Sequence, residues 1–137
     1  MRGDRAQISV EYLSIIGFAF LITVPLTILF VLESNSTSDT VNVAQAQQLA
    51  RKIVSSAEAI SYSGEPSFTT LKVSFPKNID DIIIRDRELT IKIKTSAGVS
   101  DVVEISAINM SGNISPVAGM HFIKIEAKVG FVNISGP

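Results

Sequence analysis

From Tyr12 to Leu32 the chain runs for 21 residues without a single Lys, Arg, Asp, Glu or His. About 20 such residues cross the hydrocarbon of a bilayer as a helix. A run of this length cannot be a surface element of an ordinary soluble domain. It is preceded by one carboxylate, Glu11, and by a short polar leader, Met1 to Ala6, that carries Arg2, Asp4 and Arg5. A secretory signal peptide has its small-residue cleavage site after the apolar core. Here the small-residue junction, Ala6-Gln7, stands before it. A cut there removes the basic leader and leaves the apolar helix at the new N-terminus. Such a helix needs apolar surroundings, either lipid or a bundle of like helices.

The flanks orient the span. Arg2, Arg5 and the amino terminus precede it, and no Lys or Arg follows it before Arg51. Positive charge on the N-terminal side favours N-inside, C-outside insertion. Four of the six asparagines open N-glycosylation sequons, at Asn35, Asn109, Asn113 and Asn133, and all four lie beyond the span. They are expected to meet the N-glycosylation machinery on the outer side. The chain has no cysteine and a net charge of -1. Disulfide frameworks, thiolate metal sites and cysteine nucleophiles are therefore excluded, and no charged field argues for nucleic acid as a partner.

The segment Gln7-Ile8-Ser9-Val10-Glu11-Tyr12-Leu13 resembles the class III signal motif of archaeal type IV pilin-like proteins, with Gln, Ser and Glu at alternate positions before the apolar helix. The resemblance implies cleavage between Ala6 and Gln7 by a prepilin peptidase. It implies a fold of α+β class, with a long hydrophobic N-terminal helix followed by a small antiparallel β-sheet head, the lollipop form of type IV pilins. It also implies polymerisation with identical or related subunits, an assembly ATPase and a membrane platform, and a role for the fifth mature residue, Glu11, in assembly. The adhesion pilus is the closer likeness, ahead of the archaellum.

Four regions follow: a cleavable leader (1–6), a membrane-spanning or filament-core helix (7–32), an amphipathic continuation (33–64) and a β-rich head (65–137). Pro25 inside the apolar run predicts a bend or a short unwound patch, because proline removes one helical hydrogen bond and crowds the preceding turn. Residues 33–40 are polar and read either as a break or as a solvated turn of one continuous helix. Val43, Ala46, Ala50, Ile53, Ala57 and Ile60 then recur at steps of three and four, an apolar stripe on one helix face. The stripe packs either on its own head or on neighbouring subunits. Gly64 and Pro66 end the helix.

From Phe68 the period changes to two. Leu71, Val73 and Phe75 alternate with Thr70, Lys72 and Ser74; Ile82 to Arg85 is a short strand; Leu89, Ile91 and Ile93 alternate with Thr90, Lys92 and Lys94. Arg85 to Glu88 links two of these as a hairpin. Val99 to Ile108 and His121 to Ile134 are further strand regions, and Met110 to Met120, with Gly112, Pro116 and Gly119, reads as a loop. Sequential short strands with short links predict an antiparallel meander covered by the helical stripe.

No catalytic constellation, metal site or cofactor motif is present in the sequence, which reads as a non-enzyme. His121 is the only histidine, and Asp80-Asp81 reads as a solvated turn or strand entry. Glu11 has two readings. A carboxylate in a first helical turn gains about 0.3–1 kcal/mol from the helix dipole. Alternatively, after cleavage it pairs with the new α-amino group of a neighbouring helix, since a lone charge in an apolar bundle is expensive and a paired one tolerable. Gly17 and Ala19 permit close helix approach. The expected function is a structural subunit of an archaeal pilus-like surface filament, a precursor in the cytoplasmic membrane and a glycoprotein of the extracellular filament once assembled, for cell adhesion. A monomeric membrane-anchored extracellular binding domain is the alternative, with the same helix as a permanent anchor.

Overall fold

The computed structural model describes residues 3–136, with side chains throughout that range except at residues 3–8 and at Asn35. A long apolar N-terminal helix, α1 (Gly3–Ser63), is followed by seven strands that form a small, largely antiparallel β head. The chain divides into two compact units, residues 1–37 and 38–137.

In the first unit α1 remains helical through Pro25. Of the bend or short unwound patch expected there, the unwound patch does not form. Proline withdraws one N–H from the ladder, yet the helix continues on both sides of it, even though Ile22, Thr23, Val24, Thr27 and Ile28 around it are β-branched. Ser14 and Thr27 return their hydroxyls to the carbonyls of Val10 and Thr23, each at 2.8 Å, so these two hydroxyls are satisfied within the helix. Thr37 does the same with the Glu33 carbonyl at 3.0 Å. The polar stretch 33–40 is thus a solvated part of the helix and not a break.

The second unit holds the rest of α1 and the strands β1 (Phe68–Phe75), β2 (Ile79–Arg85), β3 (Glu88–Thr95), β4 (Gly98–Ile105), β5 (Met110–Asn113), β6 (Gly119–Lys128) and β7 (Phe131–Ser135). They form two sheets, one in the order β1-β6-β7-β5 and one in the order β2-β3-β4. The meander expectation holds for β2-β3-β4 alone. β1 pairs with β6, far along the chain, with Phe68 opposite Glu126, and β5 runs parallel to β7. Met110 to Asn113, read from sequence as loop, is the strand that makes this parallel pair. His121 to Ile134 is two strands, turned at Gly130, whose φ is +82°.

Ala46, Ala50, Ile53 and Ala57 of the helical stripe are fully buried, with Val43 and Ile60 packed at its ends. The stripe therefore packs on its own head. Its small residues let the sheets approach the helix, and Leu49 and Val54 widen the contact. Against it lie Val73 and Phe75 of β1, Leu89, Ile91 and Ile93 of β3, and Ile123 and Ile125 of β6, all inward as the period-two pattern requires. Each such buried side chain contributes about 1.5–3 kcal/mol of hydrophobic stabilisation.

Polar clamps fix the ends of this packing. Asp39 accepts the Ser96 N–H at 2.8 Å and its hydroxyl at 2.5 Å, tying the helix to the β3–β4 turn. Glu58 accepts the Ala107 N–H at 2.8 Å and the Ser106 hydroxyl at 3.2 Å. The carbonyl of Ala107 in turn accepts from the Arg87 guanidinium, and Met110 N–H bonds the Asp86 carbonyl.

Candidate functional site

The apolar stretch of α1 is the first candidate. Its most apolar window has none of its surface buried within the chain, and it is the one helix among the described residues long and apolar enough to cross a membrane. Val10, Tyr12, Leu13, Ile15, Phe18, Phe20 and Leu21 are all exposed. An array of large apolar side chains with no cover in its own chain needs an apolar partner, lipid or protein. Glu11 is exposed at the start of this stretch. Because α1 begins at Gly3, Glu11 stands about two turns inside the helix of the uncut chain. The dipole effect is confined to the first turn, so it applies to Glu11 only once the leader has been removed. Gly17 has open space where a Cβ would stand, and Ala19, about 200° further round the helix, is exposed, so neither small residue is covered within the chain and each permits close approach by another helix. The side chains of Ala6 and Gln7, the expected processing junction, lie outside the described residues.

The sequons are the second candidate. Asn35 lies outside the residues whose side chains are described. The other three all lie on the β5–β7 side of the four-stranded sheet. Asn109 is exposed just before β5, Asn113 is exposed at the end of β5, and Asn133 is half-buried on β7. The parallel register sets Ser111 beside Asn133 and Asn113 beside Ser135, so residues of separate sequons face one another across the pair. Sequence reading found these asparagines but not their convergence, because β5 carries no apolar alternation to announce it. Glycan occupancy in the native host is expected to be higher at the exposed Asn109 and Asn113 than at the half-buried Asn133, following accessibility. Peptide mass spectrometry checks this, and preferential occupancy of Asn133 would contradict it.

Elsewhere on that sheet the outer face is aromatic and basic. Lys124 lies 5.1 Å from the Phe68 ring centre and Lys72 lies 5.9 Å from that of Phe122. Lys128 and Lys124 donate to Glu126, at 3.1 Å and 3.2 Å, and these bonds hold its carboxyl below the usual carboxylate range. His121 lies within β6, opposite Val73. Its ring centre is 5.2 Å from that of Phe75, and its Nε2 is buried without a hydrogen-bond partner. Asp80 pairs with Lys94 at 2.6 Å, and Asp81 accepts the Ile82 N–H at 2.9 Å beside an irregularity in β2, so both carboxylates are engaged locally. Among the described residues no three His, Cys, Asp or Glu side chains gather as a metal site.

Comparison with protein-family models, curated proteins and solved structures gave no match.

Proposed function

We propose that this chain is a structural subunit of a type IV pilin-like archaeal surface filament. It is inserted N-in, C-out, cut before Gln7 by a prepilin peptidase and polymerised through α1, for adhesion. The observation that carries the reading is the division of labour along α1. Its C-terminal half completes the core of the head, whereas its apolar half covers nothing in its own chain. The motif Gln7-Ile8-Ser9-Val10-Glu11 supports the same reading.

Transfer from lipid to a bundle of like helices brings little hydrophobic gain, since both surroundings are apolar. Association rests on van der Waals packing, on close approach at small residues such as Gly17 and Ala19, and on polar pairing. Glu11 supplies the polar pair: its carboxylate meets the α-amino group of Gln7 on a neighbouring helix and sets the stagger between subunits. The heads form the exterior and carry glycans on the β5–β7 side.

Purified surface filaments, imaged by electron microscopy and digested for N-terminal peptide mass analysis, test this directly. The expected result is filaments containing this chain with Gln7 at the mature N-terminus. Chains found only as membrane-bound monomers that retain Met1 would favour the permanent-anchor alternative.

A further inference from the structure

The two sheets of the head have four edges, and three of them are blunted. β2 is irregular between Ile79 and Asp81 and carries Asp80 and Asp81. β5 has four residues. On β1 the Lys72 carbonyl already accepts from Lys52 Nζ at 3.1 Å. These are the ordinary means by which sheet edges avoid pairing with other chains. β4 carries Asp101 and Glu104 but neither a bulge, a shortened strand nor a carbonyl held by a lysine. It is eight residues long, regular in register with β3, and without Lys, Arg or Pro.

The phase of β4 follows from one bond. Ser106 N–H donates to the Arg87 carbonyl at 2.8 Å, in register with the β3–β4 ladder. Residues of an antiparallel strand alternate between facing their partner and facing away. Glu104, Val102 and Ser100 therefore bond β3, while Val99, Asp101, Val103 and Ile105 aim their N–H and C=O groups outward. The side chains of the same four residues lie on the outer face of the sheet. Val99 is 57 % exposed, Val103 48 % and Ile105 77 %.

We infer that this edge binds the same edge of a second copy, antiparallel, with Val99 opposite Ile105 of the other copy and Asp101 opposite its Val103. In that register all four outward residues of each copy meet outward residues of the other, and every opposed pair closes two backbone hydrogen bonds. Val99 and Ile105 bury apolar surface against each other, and no like charges are opposed. The neighbouring registers are worse. Sliding the copies by one pair in one direction sets Asp101 against Asp101, a destabilising like-charge pair. Sliding the other way sets Val99 against Ala107, whose N–H and C=O are held by Glu58 and Arg87. One strand is thus self-complementary in one register, which makes the occupant another copy of this chain. The inference does not rest on the filament reading: it concerns the head alone and applies equally to two membrane-anchored copies.

The chain has no cysteine, so engineered thiols report the pairing without background. Full-length Val99→Cys and Ile105→Cys chains in detergent are mixed and oxidised. Opposed residues of a hydrogen-bonded pair stand about 5.5 Å apart at Cα, inside the disulfide range. Identical positions of the two copies are separated by six residues along the strand, roughly 20 Å, and are out of reach. The mixture is expected to yield disulfide-linked heterodimer, and either variant alone little. Val103→Pro removes an outward N–H that takes no part in the β3–β4 ladder, and Val103→Asp keeps the backbone but opposes Asp101. Each, added to both cysteine chains, is expected to lose most of the crosslink while circular dichroism remains that of the folded head. Absence of crosslinking in the mixture, equal crosslinking by a single variant, or full crosslinking by folded Val103→Asp chains would each overturn the pairing.

Discussion

Glu11→Gln is expected to remove most filaments while leaving membrane insertion intact. The variant keeps the size and hydrogen-bonding capacity of the side chain and removes only its charge. If the carboxylate pairs with a neighbour's α-amino group, the substitution leaves an ammonium unpaired among apolar helices. Removing one partner of a desolvated ion pair costs about 3–5 kcal/mol, and a polymer incurs that loss at every subunit. If Glu11 interacted only with the dipole of its own helix, the loss would be about 0.3–1 kcal/mol and filaments would persist. The magnitudes are far enough apart for a filament count at matched protein level to decide. Normal filament numbers from the Glu11→Gln chain would eliminate pairing as the mechanism and leave the fold untouched. Glu11 is exposed along a stretch with no cover of its own, so among the residues whose side chains are described nothing competes for the carboxylate.

The second large effect is expected in the head. Gly112 sits in β5 with φ +149°, and a Cβ placed there would lie 1.8 Å from the backbone carbonyl oxygen of Ile134. Backbone cannot yield as a side-chain tip can, so Gly112→Ala must break the β5–β7 pair. The parallel pair carries Met110 into the core beside Val132 and Ile134. Losing it exposes buried apolar groups as well as hydrogen bonds, a combination of the kind that destabilises by about 4 kcal/mol or more. Gly98→Ala is the matched control. Its φ is +129°, but no atom lies within 4 Å of the added Cβ. It is expected to cost only the backbone strain, roughly 1–2 kcal/mol. Denaturant unfolding of the two variants, compared with the parent, measures the difference. Equal losses would mean that the close approach of β5 to β7 is not a constraint.

The parts of this protein that were legible in sequence are those whose cause is local. The charge-free run from Tyr12 to Leu32 declares an apolar helix because length and composition suffice. The stripe from Val43 to Ile60 and the alternation from Leu89 to Ile93 show their periods within a single element, and the buried faces follow those periods.

Tertiary structure decided what depends on distant partners. Nothing near Phe68 specifies that it pairs with β6 instead of the adjacent β2, because strand partners are selected by burial of both faces of the head together. Met110 to Asn113 has no apolar alternation. It becomes a strand because β7 offers it an edge and Gly112 lets the backbones close. Asp39 lies in the polar stretch that reads either as a break or as a solvated turn of one helix, and nothing local announces that it is the acceptor for a turn 57 residues away. The free edge of β4 is of the same kind. Its residues read as one more strand, and only the pairing of the other strands leaves that edge outermost. Local sequence sets which face of each element is apolar; the long-range pairing that buries those faces sets which edges and asparagines remain for other molecules.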